Sequence, residues 1–403
     1  MTTRGASRLS RIGLLALLIV MAPGAAHAQS LDGIKPVIVA DIDARAFDED
    51  LEGFDTFALA RGRIGAKWLA RPGLELELTG DWSRRTPTMI DGYAAFRLAN
   101  GFTVRGGYSK TPLFVAARST AESRLPVPEL PIAVRALWPG RDLGAEVAWN
   151  RPDLPVAAWV RAGNGSSSNQ GNDNAAFAID ARVDLKLGGS GETSTWTMRG
   201  RGLRLGGGIH ASDAADRNGI SGQTPLGFEF SPPVAVSGPR RVLEAHLLAD
   251  QGPFELGAEF GHATESRERD TDGNPNTPRE SLDELESYGG YAELSWHSNR
   301  GRGPRAADAA NASPASSSDT FRLDPQGWVV AARFDYLRLG RGADDVVDSG
   351  ATGGALAIRC WLDPAVALSV AGYYLDYEVP PPGLPDQDQS LQGLVRLTFA
   401  LNH

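Results

Sequence analysis

Strict alternation of apolar and polar residues is the feature that most constrains the fold of this chain. Residues 179–187 read IDARVDLKL, so one side of an extended segment is wholly apolar and the other carries four charges. A period of two residues is that of a β-strand, because successive side chains point to opposite faces of a sheet. Two environments suit such a strand: a soluble sheet with an apolar core, or an outer-membrane barrel with lipid outside and water inside.

The same alternation recurs along the chain and decides between these environments. It predicts sixteen strands, at residues 34–45, 56–69, 74–82, 89–99, 102–110, 141–150, 154–162, 176–187, 194–210, 240–250, 253–263, 285–297, 326–339, 353–362, 366–377 and 389–401. Tight turns such as Asn100-Gly101 alternate with long connections such as 111–140 and 211–239. An even strand number with this rhythm is typical of a bacterial barrel. We therefore predict an all-β fold, a transmembrane antiparallel β-barrel of about 16 strands.

The N-terminus indicates export. Three arginines precede an apolar stretch at residues 12–21, and Ala26-His27-Ala28 offers the small residues that signal peptidase accepts. Residues 1–28 are predicted to be a cleaved signal peptide, and residues 29–403 the barrel domain. The alternative, a membrane anchor, is disfavoured because the apolar stretch has half of the roughly 20 residues needed to span a bilayer. Residues 298–325, rich in Ala, Ser and Asn, replace an expected short turn and are predicted to be a flexible insertion.

Composition narrows the possible partners. The chain has 40 basic and 49 acidic residues. Removal of the three signal-peptide arginines leaves 37 basic residues and a net charge of −12. Such an acidic chain is a poor partner for nucleic acid. Cys360 is the sole cysteine, so no internal disulfide can form. The six histidines lack metal-ligand spacing. We expect no metal, no cofactor and no enzymatic activity, although sequence alone leaves open a hydrolytic Ser-His pair at the rim of such a barrel.

The connection 111–140 is predicted to be the third external loop and to fold into the pore. Five basic residues lie in it or at its edges, against the acidic Glu122, Glu129 and Asp142. A positive excess at a narrow point favours anions, and the planar guanidinium can hold two phosphate oxygens. The candidate anion-binding residues at this constriction are Lys110, Arg118, Arg124, Arg135 and Arg141.

The polar sides of the predicted strands should line the lumen. The basic residues predicted to do so are Arg61, Arg63, Lys67, Arg97, Arg105, Arg182 and Arg396. Many acidic residues share the same sides. Two interpretations stay open: these cations bind passing anions, or they pair with carboxylates on neighbouring strands, each pair adding up to about 1 kcal/mol.

Four passages resemble a known family. They are GYAAFRLANGFTVRGGYSKTPLF (92–114), LWPGRDLGAEV (137–147), RIGAKWLARPGLELEL (63–78) and AIRCWLDPAVALSV (357–370). They are similar to strand-turn-strand passages of the phosphate-selective porins O and P. The resemblance implies a homotrimer of sixteen-stranded barrels in outer-membrane lipid, with anion-binding Lys and Arg side chains near the constriction. The chain departs from that family in having only four lysines and in ending FALNH, beyond the usual terminal aromatic residue.

These expectations combine into one functional prediction. The protein is predicted to lie in the outer membrane of a Gram-negative bacterium as a water-filled diffusion channel for small anions, with phosphate or polyphosphate as candidate substrates. Two alternatives stay open: a general or weakly selective porin, and a non-conducting barrel with an enzymatic or structural role.

Overall fold

The computed structural model describes residues 33–48, 52–118, 125–151, 153–167, 171–187, 201–271, 277–298 and 327–401. Its strands are β1 (Ile34–Phe47), β2 (Thr56–Arg71), β3 (Leu74–Asp81), β4 (Thr88–Arg97), β5 (Phe102–Lys110), β6 (Arg141–Asn150), β7 (Val156–Gly163), β8 (Ala178–Leu187), β9 (Arg201–Asn218), β10 (Gly222–Gln223), β11 (Glu229–Ser231), β12 (Ala235–Gln251), β13 (Phe254–Arg269), β14 (Glu280–His297), β15 (Gly327–Arg341), β16 (Ser349–Asp363), β17 (Val366–Tyr377) and β18 (Gln389–Leu401). Two short helices are α1 (Val115–Arg118) and α2 (Ile132–Leu137). The predicted signal peptide and all but the first residue of the predicted insertion 298–325 lie outside the described residues.

Sixteen of these strands form one closed antiparallel barrel, as predicted. Each pairs with its neighbour in the chain, β9 pairs with β12, and β18 closes the ring on β1. Each of the sixteen predicted segments overlaps one barrel strand. The exception to the prediction is β10 and β11, which form a separate two-stranded sheet between β9 and β12. A two-residue strand carries too few residues to show alternation, so the sequence pattern could not reveal it.

The burial of side chains in IDARVDLKL, which forms most of β8, shows which face of the strand packs against protein. Asp180 and Asp184 are fully buried on the inner side, whereas Ile179 and Val183 are 47% and 54% exposed on the outer side. A soluble sheet would bury the apolar side and expose the charges. The soluble alternative is therefore wrong, and the apolar outer side faces lipid.

The rest of the outer wall follows the same pattern. Aromatic residues are exposed there, among them Trp68, Phe260, Trp296 and Tyr374. Aromatic side chains of this kind suit the boundary between lipid and water. Within the described ranges, no helix has the length and apolar content needed to cross a membrane.

The turn at Asn100-Gly101 sets which side chains of β4 and β5 point inward. Asn100 and Gly101 both adopt left-handed backbone angles, with φ of 59° and 81°. The amide of Leu98 donates to the carbonyl of Phe102 at 2.8 Å, and Phe96 pairs with Val104. This register is the one predicted for a three-residue loop. It leaves Arg97 and Arg105 together on the inner face.

Two connections fold inward and give the lumen an apolar part that the alternation does not predict. Leu113, Phe114 and Leu137 of the third loop (residues 111–140) pack against Val242 and Ala263 of the inner wall. The segment between β9 and β12 adds Leu226 and Phe230, which are also buried. Both loops therefore narrow the barrel.

Candidate permeation site

The third loop is fixed to the barrel wall at the start of α1. The backbone amides of Val115 and Ala116 donate to the carboxylate of Glu259, on β13, at 2.6 and 2.7 Å. The Tyr291 hydroxyl, on β14, donates to the same carboxylate at 2.7 Å. The first amides of a helix have no partner within it, so a carboxylate on the wall satisfies them. We call this contact the Glu259 anchor.

The start of α2 is held by β15, two strands along the wall from β13. The backbone amide of Ile132 donates to Asp335 Oδ1 at 3.2 Å, and Arg333 Nη1 donates to the carbonyl of Glu129 at 2.6 Å. Arg333 also bonds Asp335 at 2.7 Å. The wall residues thus form one connected unit with the loop backbone.

The side chain of Glu129 forms the most highly charged contact of the loop. Arg396 Nη2, Arg135 Nη2 and Arg61 Nη2 donate to its two oxygens at 2.5, 2.8 and 3.4 Å. Arg396 also donates to both oxygens of Asp43, at 2.6 and 2.8 Å. We call these five residues the Glu129 cluster. Burial alone would raise the pKa of Glu129, but the charges of Arg396, Arg61 and Arg135 outweigh it and lower that pKa to about 2.

Of the predicted anion-binding residues, Lys110, Arg118 and Arg141 lie close together at one end of β5 and β6, apart from Arg135, and all four bond to protein groups. Arg118 donates to both oxygens of Glu146 at 2.7 and 2.9 Å. Arg141 bonds Asp91 at 3.3 Å, and Lys110 Nζ donates to the carbonyl of Ala117 at 2.6 Å. Arg135 belongs to the Glu129 cluster. Arg124 lies outside the described residues.

The structure places the predicted lumen-lining residues other than Arg97 beside carboxylates. Arg63 contacts Asp81 at 3.4 Å and Lys67 contacts Glu77 at 3.3 Å. Arg105 contacts Glu146 at 3.2 Å, Arg182 contacts Asp184 at 2.8 Å, and Arg61 contacts Asp41 at 2.7 Å. Arg396 belongs to the Glu129 cluster, and Arg97 is exposed at the end of β4.

The anchoring roles of Glu259, Asp335 and Glu129 were not predicted from the sequence. Some of the ion pairs do have a sequence signal, because residues two apart on a strand share a face. Arg182 and Asp184, Arg333 and Asp335, and Asp43 and Arg45 are spaced in this way and are all bonded. No pattern in the sequence indicates which strand, more than a hundred residues away, a given loop residue contacts.

Known structures share the architecture, whereas no protein-family profile and no curated protein matches the chain in sequence. The trimer form of OmpT, an outer-membrane protein of Vibrio cholerae, superposes with a TM-score of 0.55 at 11% identity, over 91% of this chain and 98% of that one. The anion-selective porin of Comamonas acidovorans gives 0.55 at 11% identity, over 91% and 99%. The outer-membrane channel DcaP of Acinetobacter baumannii gives 0.53 at 10% identity, over 92% and 99%.

The chain has the fold of the outer-membrane porins. At such low identity the likeness establishes the fold and nothing finer, and no match supports the more specific resemblance to the porins O and P. The closed ring and the apolar outer wall place the barrel in the outer membrane. Among the described residues, no group of His, Cys, Asp and Glu side chains is arranged to hold a metal ion.

Proposed function

We propose that the protein is a narrow diffusion channel for small hydrophilic solutes. The observation that carries this proposal is a closed barrel whose inner wall bears ionised side chains and whose third loop crosses the lumen. Charged groups and a narrow point are the parts from which selective pores are built. Passage along such a wall requires no cofactor, nucleic acid or catalytic step.

The charge around the third loop supports weak selectivity. The described cations there are Lys110, Arg118, Arg135 and Arg141, and the three arginines are ion-paired with Glu146, Glu129 and Asp91 respectively. A cation that contacts a carboxylate at such short range has much of its charge cancelled at the distance of a passing ion. Tight binding of phosphate or polyphosphate by these arginines would require displacement of a bonded carboxylate. We therefore favour a general porin with a small preference for anions over a phosphate-specific one.

The same proposal includes a homotrimer embedded in outer-membrane lipid. The apolar outer wall supports the lipid contact, and a trimeric form is known for OmpT of Vibrio cholerae, which shares the fold. Chemical cross-linking of the protein in detergent should yield a species of three chains. A single-chain species at all cross-linker concentrations would contradict the trimer.

Planar-bilayer recording tests the channel directly. Addition of the folded protein should produce discrete conductance steps, and a salt gradient should give a reversal potential close to zero with a slight anion preference. Phosphate should reduce chloride current no more than sulfate does. Silence from folded protein would remove the channel, whereas a strongly anionic reversal potential with selective block by phosphate would establish a phosphate site.

A further inference from the structure

The lumen holds a hydrogen-bonded chain of three side chains away from the third-loop anchors. Asp180 on β8 lies opposite His210 on β9, and Asp180 Oδ1 is 2.7 Å from His210 Nδ1. The other ring nitrogen, His210 Nε2, is 2.9 Å from the hydroxyl oxygen of Ser212, two residues further along β9. Residues at this spacing share a face of the strand, so Ser212 and His210 both point into the barrel.

The bonding pattern fixes the imidazole in the tautomer that activates a hydroxyl. A carboxylate can only accept a hydrogen bond, so Nδ1 of His210 carries the proton toward Asp180. Nε2 then accepts the proton of the Ser212 hydroxyl. Nucleophile, base and a third group that orients the base are the parts of a Ser-His-Asp catalytic triad, which is recognised by geometry and not by sequence position.

Two other histidines of the inner wall show that this arrangement is not a general property of the barrel. Nδ1 of His246 is 2.7 Å from Glu244, and its Nε2 is 3.2 Å from Asp184, so carboxylates flank both nitrogens. In the pair Ser295–His297 the hydroxyl is 2.8 Å from Nε2, but Glu255 approaches that same nitrogen, at 3.6 Å.

Ser212 is the member of this chain that a solute in the lumen can reach. His210 and Asp180 are buried, whereas Ser212 is partly exposed. The backbone of Gly165 packs closely against one side of it, since a Cβ at that position would stand 3.1 Å from Ser212 Cβ. Arg240, on β12, is the direct cross-strand neighbour of Ser212, and its guanidinium, ion-paired with Glu265 at 3.5 Å, lies on the same face of the sheet. Such a charge stabilises the oxyanion that forms when a hydroxyl attacks a carbonyl.

We propose that Asp180, His210 and Ser212 form a catalytic triad that hydrolyses short carboxylic esters entering the lumen. Ser212 Oγ bonds to the carbonyl carbon while its proton passes to His210 Nε2. The ester C–O bond then breaks, and the alcohol leaves with that proton. Water attacks the acylated Ser212 in the same way, releasing the carboxylic acid and restoring the hydroxyl. Asp180 is a positioning residue, because it holds the imidazole and does not touch the substrate.

Labelling with a fluorophosphonate probe tests this site in the full-length protein folded in detergent. The probe should attach to one residue, and peptide mass spectrometry should identify that residue as Ser212. Hydrolysis of p-nitrophenyl butyrate should be lost in S212A. D180N leaves the imidazole in the wrong tautomer, so labelling should slow by on the order of 10²-fold or more.

S295A is the matched control, because it removes the hydroxyl of the other Ser-His pair and should label at the natural rate. Folding of every variant is checked by the mobility shift on heating before electrophoresis. The proposal is overturned if folded natural protein is not labelled, if the adduct maps to another residue, or if D180N labels as fast as the natural protein. None of these outcomes bears on conductance, so the channel proposal is judged separately.

Discussion

The two ends of the third loop are fastened by different chemistry. At the Glu259 anchor, a wall carboxylate accepts two backbone amides and a tyrosine hydroxyl. At the Glu129 cluster, a loop carboxylate accepts three guanidinium groups from two strands and α2. The first anchor holds the path of the backbone. The Glu129 cluster also neutralises charge. Its arginines could otherwise attract anions, but here they hold the loop.

This difference should appear first in the cost of removing each carboxylate. Replacement of Glu129 by Ala removes the carboxylate that Arg135 contacts, whereas Arg396 keeps Asp43 and Arg61 keeps Asp41. Loss of one member of a buried ion pair costs about 3–5 kcal/mol. We expect the free energy of unfolding, from urea titration of the folded barrel, to fall by about that amount. A loss below about 1 kcal/mol would show that the cluster does not hold the loop.

Acid should loosen the Glu129 cluster by a smaller amount, because protonation removes the charge of Glu129 but not its shape. The folded-state pKa is lowered from 4.5 to about 2. Because the pKa of Glu129 is lower in the folded state than in the unfolded state, the ionised carboxylate stabilises the fold fully at pH values above its ordinary pKa. That contribution falls below about pH 4.5 and is lost near pH 2.

Single-channel recordings at decreasing pH measure this effect. Current fluctuations should stay low from pH 7 to about pH 5 and grow toward pH 2. The variant E129Q has no charge to lose at this position and should lack that component of the pH dependence. An identical pH profile in E129Q and the natural protein would assign the effect to another group.

The Glu259 anchor should be the weaker of the two. In E259Q, one oxygen of the side chain becomes an amide nitrogen and can no longer accept, so a buried donor loses its partner at a cost of about 1–3 kcal/mol. Hydrogen exchange at the amides of Val115 and Ala116 should accelerate accordingly. E77Q is the matched control, because the partners of Glu77 include Lys67 and Tyr93 on the wall. Equal exchange in both variants would contradict the anchor.

Ion selectivity should change least. Replacement of Arg118, Arg124 and Arg135 by Ala should shift the reversal potential toward cations. Each lost charge acts on a passing ion through water over roughly 8 Å, which corresponds to about 0.5 kcal/mol, or roughly twofold in the permeability ratio. R151A, at an exposed turn, serves as the control. An unchanged reversal potential in the triple variant would show that the loop does not set selectivity.

The sequence predicts the wall of this barrel far better than its contents. A strand such as 179–187 displays its two faces in its own residues. The Asn100-Gly101 turn fixes the register between β4 and β5 through local backbone preferences. The contact of Glu129 with Arg396 instead joins residues 267 positions apart. Periodicity and turn chemistry are local and contain no information about such a contact.

The charge count of the loop illustrates the same limit. Arg118 and Arg135 were predicted to bind anions because they lie in a loop with a positive excess. Their partners determine their role, and the partner of Arg118, Glu146, belongs to the wall of β6. The number of charges in a segment cannot show how they are paired in three dimensions.

The bond between Arg396 and Asp43 also has a consequence for biogenesis. Arg396 is near the C-terminus, while its partners come from the first strand and from the third loop. Until the last strand docks, Asp43 and Glu129 lack the cation that joins them to each other. Ring closure therefore coincides with the last step in seating the loop, and a nascent chain that stops short of that strand would have neither a finished wall nor a completely fastened loop.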